Sequence, residues 1–180
     1  VISALGMPSV ELYLNRLVVE NSENFPPFIY TWVEAFGIGE HVQITNNRIS
    51  GRLPKGCLEC LYTPTQDDKE NHFSCRASFA QPNQEFGRNI SGCSGLFTPY
   101  GSLSAVRAAV LATQAALDLL SGQEKGNSLL SYKGPSFDFL QEGFLLSSRY
   151  SMTTEELYEK RYTYVNERCR VCGKKDGGKR

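Results

Sequence analysis

Four cysteines stand in two pairs whose spacing suits metal binding. Cys57 and Cys60 form the first Cys-x-x-Cys pair, and Cys169 and Cys172 form the second, near the end of the 180-residue chain. Each pair places two thiolates on a tight turn and so supplies half of the ligands of a tetrahedral zinc ion. Together they predict a structural four-thiolate zinc site that holds the C-terminal segment against the body. Redox-active or unrelated cysteines are the alternative, although redox pairs usually open a helix behind a strand, which neither pair here does.

Two further cysteines are candidate nucleophiles. Cys93 lies between glycines in the run SGCSG, shortly before a helix start whose dipole would stabilise a thiolate. Cys75 lies in a polar segment beside His72 and Arg76, and a basic neighbourhood also favours the thiolate. The alternative for Cys93 is a small buried residue, and for Cys75 an incidental or anchoring loop cysteine. His41 lies on a predicted strand and is expected to pack or hydrogen-bond rather than to catalyse.

Strands that must position these residues follow the pattern of an α/β protein. Residues 1–4 predict a short buried strand, and residues 28–33 are aromatic and β-branched. A turn at 37–39 leads to residues 41–45, which alternate as a second, antiparallel strand. The remaining strand predictions are short and cover residues 129–132 and 143–148, and residues 162–165 are expected to form a short strand or an extended arm.

Three helices are predicted between the strands. The first begins at Pro8, whose ring suits a first helical turn, and its apolar face is formed by Val10, Tyr13, Leu14, Leu17 and Val18. The clearest helix covers residues 103–120, with Ser102 as its N-cap and a glycine cap at Gly122. A third helix begins near Thr153, with acidic residues in its first turn.

The helix at 103–120 has two distinct sets of apolar residues. Six alanines allow close backbone packing, and we expect the alanine-rich face to be core or a dimer interface. The large side chains form an apolar stripe that consists of Leu103, Val106, Val110, Leu117 and Leu120.

Composition and charge limit the classes of function. Lys and Arg number 19 and Asp and Glu number 19, so the net charge of zero indicates neither a nucleic-acid partner nor a membrane surface. No uninterrupted run approaches the roughly 18 apolar residues of a membrane span. Four cysteines in metal spacing favour a reducing compartment, and the cytoplasm is the expected location. The chain opens on a strand without an initiator Met, which leads us to expect a fragment or the second half of a larger domain.

The order of these parts resembles a known family. Residues 56–61 (GCLECL), 99–105 (PYGSLSA) and 169–173 (CRVCG) are similar to the C-terminal half of the ThiF/MoeB/HesA adenylating fold, which ubiquitin-activating enzymes share. Residues 30–39 (YTWVEAFGIG) further resemble the bacterial ThiF-type domains that are fused to ubiquitin-conjugating or deubiquitinase-like modules. Some of those domains act in antiviral CBASS defence.

The resemblance implies a Rossmann-like sheet with an antiparallel portion over residues 1–173 and a crossover loop at 62–98. The Lys- and Gly-rich composition of residues 174–180 separately predicts a disordered tail. It implies Mg-ATP-dependent adenylation of the C-terminal glycine of a ubiquitin-like protein by the complete domain. The acyl group would then move to a crossover-loop cysteine, Cys93 or, as runner-up, Cys75. Gly6 and Met7 stand where family members carry an acidic Mg-ATP ligand, and the Gly-rich nucleotide loop belongs to the other half.

The resemblance also implies partners. These are a ubiquitin-like protein or another protein with a C-terminal glycine, a conjugating-enzyme module in cis or in trans, and a second copy in a homodimer. Neither nucleic acid nor a membrane is expected as a partner. The alternative function is a non-catalytic, zinc-stapled scaffold or heterodimer half that only recruits a ubiquitin-like protein.

Overall fold

A computed structural model describes residues 1–51, 54–64, 77–89 and 96–173 of the chain. Its main feature is a mixed four-stranded sheet with the order β1-β2-β3-β6. The strands are β1 (Ile2–Ser3), β2 (Phe28–Val33), β3 (Gly39–Thr45) and β6 (Leu129–Lys133). β1 runs parallel to β2, whereas β2 pairs with β3 and β3 with β6 in antiparallel fashion. The predicted α/β class and the antiparallel portion are therefore confirmed.

Helices and short strands complete the described chain. The helices are α1 (Pro8–Glu20), α2 (Ser102–Leu120), α3 (Phe137–Gln141) and α4 (Thr154–Glu159). β4 (Arg88–Asn89) and β5 (Leu96–Phe97) form a separate antiparallel pair. Short 3₁₀ turns lie at Ala35–Gly37, Leu58–Tyr62 and Ser148–Ser151.

The sheet separates two apolar clusters, because successive side chains of a strand point to opposite faces. On one face, Val42 and Ile44 of β3 join Ile29 and pack against Ala112 and Ala115 of α2. The other face contacts α1 and the cysteine pairs through a cluster that includes Val18, Phe28, Tyr30, Cys57, Cys60 and Cys169. The cysteines thus belong to the core on the side opposite α2.

α2 buries three of its six alanines and exposes its stripe of large side chains. Ala108, Ala112 and Ala115 are buried, which confirms the core interpretation of the alanine-rich face. The stripe of large side chains faces outward, and Leu120 is 86% exposed. Small side chains allow the helix axis to approach the sheet closely, so α2 packs on the sheet through its buried alanines.

Several local predictions are wrong in detail. The inward face of α1 consists of Glu11, Asn15 and Val18, whereas Val10 and Tyr13 are exposed. This face is buried because two of its side chains form hydrogen bonds to the body. Glu11 accepts one from the Ser3 hydroxyl (2.8 Å), and Asn15 is hydrogen-bonded to β3 and to the first cysteine pair. Residues 143–148 form a single isolated bridge, from Leu146 to Ala80, instead of a strand. Residues 162–164 form turns, and the N-cap of α2 is Gly101.

α2 is also the one described helix that is long and apolar enough to cross a membrane, judged by length and composition alone. Interior helices of soluble proteins and signal sequences meet the same criterion, so it is weak evidence for a span. The predictions of a cytoplasmic location and of no membrane partner therefore stay predictions.

Candidate metal centre

The first cysteine pair is held by a 3₁₀ turn that follows an extended residue. Cys57 is extended, and the amide of Cys60 donates to the Cys57 carbonyl at 3.0 Å. The amide of Leu58 donates to Oδ1 of Asn15 on α1 at 3.0 Å. Gly56 has a φ of 103°, and a Cβ there would lie 2.7 Å from the hydroxyl of Tyr164. Glycine is therefore required for the chain to enter this turn.

The second pair lies on a turn that closes by backbone hydrogen bonds. The amide of Cys169 donates to the Asn166 carbonyl at 3.0 Å, and the amide of Gly173 donates to the Cys169 carbonyl at 2.8 Å. The side chain of Asn166 donates to the carbonyl of Thr63, which follows the first pair, at 2.9 Å. A side-chain amide therefore links the two turns directly.

The structure brings all four sulfur atoms together. Sγ of Cys57 lies 3.7 Å from Sγ of Cys169, and Sγ of Cys60 lies 3.3 Å from Sγ of Cys172. All four sulfurs lie within 4.8 Å of one another. The thiols are free, and only Cys172 is partly exposed. This buried cluster could hold a metal ion.

Hydrogen bonds among the thiols make them unequal. Donation from Cys172 and Cys57 holds the pKa of Cys169 well below its ordinary value. The same contacts raise the pKa of Cys57, because its proton is used in the hydrogen bond to Cys169. A bound cation would displace the protons of these thiols.

A second buried polar group lies elsewhere on the sheet, around His41. Nε2 of His41 lies 2.6 Å from Oε1 of Glu34, and Nδ1 lies 2.9 Å from the hydroxyl of Ser131. Because a carboxylate only accepts, Nε2 carries a proton. Glu34 also accepts from the amides of Phe79 (2.6 Å) and Ala80 (3.0 Å). Both ring nitrogens are engaged and the ring is fully buried, which agrees with the expectation that His41 packs and hydrogen-bonds.

The remaining candidates fall outside the described residues. These are Cys93, Cys75 and its neighbour His72, together with the tail at 174–180. The structure therefore does not test the nucleophile predictions. Four largely buried carboxylates that it does reveal, Glu11, Glu34, Glu40 and Glu59, carried no spacing signal. The position of Glu59 between the two cysteines of the first pair was the one available hint.

A cleft of about 950 Å³ lies between the N-terminal half of α2 and the ends of β1 and β2. Small side chains of Ala105, Ala108 and Ala109 form one wall, and the chain at Leu5 and Gly6 forms another. The described residues of the lining include no charged side chain; they are Ala4, Leu5, Gly6, Thr31, Trp32, Val33, Phe97, Thr98, Tyr100, Ser102, Ala105, Ala108 and Ala109. It suits a narrow, uncharged chain.

Comparison with known proteins assigns no family. No model of a known protein family matches the chain, and no curated protein matches it.

Proposed function

We propose that the cysteine cluster is a structural zinc site. A tetrahedral ion with zinc–sulfur bonds of about 2.3 Å separates its sulfurs by about 3.8 Å. The 3.7 Å between Cys57 and Cys169 agrees with this value and the 3.3 Å between Cys60 and Cys172 is shorter, but both are well above the roughly 2 Å of a disulfide. Four thiolates leave no open coordination position, so the metal would fold the chain and perform no reaction.

We further propose that the chain is the C-terminal part of a ThiF-type adenylating domain that activates a ubiquitin-like protein. The single observation that carries this proposal is the four-sulfur cluster, which joins a Cys-x-x-Cys pair after the central strand to one near the C-terminus. The parallel β1–β2 pair, followed by antiparallel strands, supports the Rossmann-like sheet with an antiparallel portion that the resemblance implies.

The free edge of β1 supports a larger sheet. Among the described residues, β1 has a strand neighbour on one side only. Parallel strands belong mainly to sheets that are covered on both faces. β1 and the residues after it nevertheless expose Ile2, Leu5 and Met7, each more than half accessible. An apolar, uncharged edge of this kind is suited to pairing with a further strand of the same domain.

The cleft beside α2 supports a glycine-ended protein as substrate. Its walls of alanine and glycine leave room for an extended backbone but offer no charge to attract acidic or basic side chains. The described lining holds no carboxylate, and Gly6 and Met7 occupy the position of the family's acidic ligand. These residues do not fit Mg-ATP, so we derive no step through the nucleotide here and assign adenylation to the complete domain.

Acyl transfer would fall to Cys93, with Cys75 as the second candidate. The thiolate would attack the carbonyl carbon of a glycine that the complete domain has activated, the activating group would leave with the bonding electrons, and a thioester would remain. A conjugating-enzyme module, in cis or in trans, would then receive the acyl group. A homodimer and a role in antiviral defence belong to the same proposal.

A thioester assay tests this function. The intact protein is incubated with Mg-ATP and a labelled ubiquitin-like protein that ends in glycine, and adducts are separated with and without reductant. We expect a reductant-sensitive adduct that Cys93→Ala abolishes and Cys93→Ser converts into a reductant-resistant ester. An adduct that survives both Cys93→Ala and Cys75→Ala would refute the nucleophile assignment.

A recruiting scaffold is the second candidate function. The uncharged lining of the cleft favours it, because among the described residues no ionisable acid or base faces the space where a bound chain would lie. A scaffold would bind the ubiquitin-like protein and form no adduct in the same assay. Binding without ATP-dependent adduct formation therefore identifies this alternative.

A further inference from the structure

Glu59 occupies an unusual position within the first cysteine pair. It lies in the 3₁₀ turn between Cys57 and Cys60, and it is 4% exposed. Its carboxylate accepts two hydrogen bonds from Arg16 of α1, from Nη2 at 3.1 Å and from Nε at 3.3 Å. Nε of Arg170 donates to the same carboxylate at 2.6 Å. A buried carboxylate is therefore enclosed by two guanidinium groups.

These contacts join three segments that are far apart in sequence. Arg16 belongs to α1, Glu59 to the first cysteine pair, and Arg170 lies between the two cysteines of the second pair. The contact between Glu59 and Arg170 therefore fixes the two metal-binding turns relative to each other. Two-point contacts between arginine and a carboxylate are directional, so they set orientation as well as distance.

The charges explain why a carboxylate is tolerated beside four thiolates. Four thiolates and one Zn²⁺ carry a net charge of −2, and Glu59 would add a further negative charge to this region. The two arginines supply two positive charges in return. Without Glu59 neither guanidinium would be held at this place, because Arg16 and Arg170 are partly exposed side chains that could otherwise turn to solvent.

The second turn has further attachments that involve protein groups alone. Asn166 donates to the carbonyls of Thr63 (2.9 Å) and Pro64 (3.2 Å). Tyr164 is buried and accepts from the side chain of Gln43 at 2.8 Å. An ion pair between Lys55 and Glu167 (3.6 Å) also joins the two segments, but both of its side chains are at least half exposed, whereas Glu59 is buried within the first cysteine pair.

We propose that Glu59 is a positioning residue for the metal centre: it holds Arg16 and Arg170 beside the thiolates and docks the second cysteine pair on the first. The inference rests on the proposed zinc site. Its consequence is that zinc leaves slowly because the protein holds both turns in place, in addition to the bonds that the metal makes. Removing such outer contacts commonly weakens metal binding 10–100-fold.

Zinc release from the intact protein to an excess of a chromophoric chelator tests this role. We expect Glu59→Gln to release zinc about tenfold faster than the wild type. Arg170→Met should have a similar effect, and because its side chain is 70% exposed it leaves the core undisturbed. The double variant should be no faster than Glu59→Gln alone, since the contact that Arg170→Met removes is one that Glu59 makes.

Two controls separate positioning from a loss of folding. Glu23→Gln removes an exposed carboxylate that pairs with Arg48 at 3.5 Å, and it should release zinc at the wild-type rate. Cobalt-substituted Glu59→Gln should keep the absorption bands of a four-thiolate site, because its ligands are unchanged. Amide exchange over residues 166–173 should be faster in Glu59→Gln than in Glu23→Gln.

The outcomes distinguish this inference from the proposed function. Zinc release from Glu59→Gln and Arg170→Met within twofold of the wild-type rate would overturn the role of Glu59 and leave the zinc site standing. Purified wild-type protein without zinc would overturn the metal centre itself, and the inference with it.

Discussion

Glu40 is a fully buried carboxylate on the central strand β3, and neither of its oxygens has a hydrogen-bond partner among the described residues. Burial raises its pKa, and the nearby Ser104 and Arg107 of α2 offset only part of this effect. A carboxyl whose pKa is raised by folding favours the folded state below its unfolded value of 4.5. That contribution is lost as the pH rises through the folded pKa.

Glu40→Gln should therefore stabilise the protein at neutral pH. The amide is uncharged, so we expect the free energy of unfolding at pH 7 to rise by about 1 kcal/mol. The gain should shrink as the pH falls towards 4.5, where the wild-type carboxyl is itself protonated. Urea unfolding at both pH values measures it. A variant that is less stable than the wild type at pH 7 would show that the charge of Glu40 is compensated.

Glu34 shows the opposite behaviour. Burial disfavours its charge, but the hydrogen bond from His41 and the amide of Phe79 outweigh burial and lower the pKa. A carboxyl with a lowered pKa stabilises the fold above its unfolded value of 4.5, and this contribution is lost as the pH falls through the folded pKa.

Glu34→Gln should destabilise the protein at neutral pH by about 1.5–3 kcal/mol, the range for hydrogen bonds to a charged group. The difference between variant and wild type should narrow below pH 4.5, and comparing the two at each pH cancels the contribution of the metal. Urea unfolding measures it. A difference that stays constant from pH 7 to pH 3 would contradict the assignment of a buried, ionised Glu34.

At the scale of residues, the part of the site that could be predicted is the set of metal ligands, because their spacing in the sequence is set by the chemistry of the metal. The Cys-x-x-Cys pairs were predicted because a metal requires two ligands on each turn, and the structure brings those four residues together. Glu34 and Glu59 were not predicted, because their partners come from distant segments. The contacts from Glu34 to Phe79 and from Glu59 to Arg170 span 45 and 111 residues.

At the scale of elements, the orientation of α2 predicts that substitutions on its buried face and on its exposed face differ in their effect on stability. Ala112 contacts the sheet and Val110 is 63% exposed, although both lie in the same two turns. Ala112→Leu should overpack the interface and lower the free energy of unfolding by about 1–3 kcal/mol. Val110→Gln should change it by less than about 0.5 kcal/mol. Thermal unfolding of both variants gives the comparison, and the reverse order would mean that α2 is rotated.

The helices also show that the buried face of a helix is harder to predict from sequence than the helix itself. α1 begins at Pro8, and α2 begins directly after its N-cap Gly101. α4 begins with a capping box formed by Thr153 and Glu156. The inward faces of α1 and α2 do not follow the largest apolar side chains. α2 packs through alanines, and α1 turns inward on hydrogen bonds of Glu11 and Asn15, which hydrophobic periodicity does not report.

At the scale of the whole molecule, the cysteine cluster decides how the chain is assembled. The first pair follows β3, the central strand, and the second follows α4 at the C-terminal end of the described chain. A zinc ion on these four sulfurs would close a loop of more than a hundred residues that contains α2 and β6. Metal binding and folding would then be coupled, as in other structural zinc sites.

Elemental analysis of the purified protein, combined with unfolding before and after chelation, tests the central claim most directly. We expect one zinc per chain, its loss in Cys169→Ser, and a fall of several kcal/mol in the free energy of unfolding when a chelator removes the metal. Protein that contains no zinc, or whose stability chelation leaves unchanged, would contradict the four-thiolate zinc site.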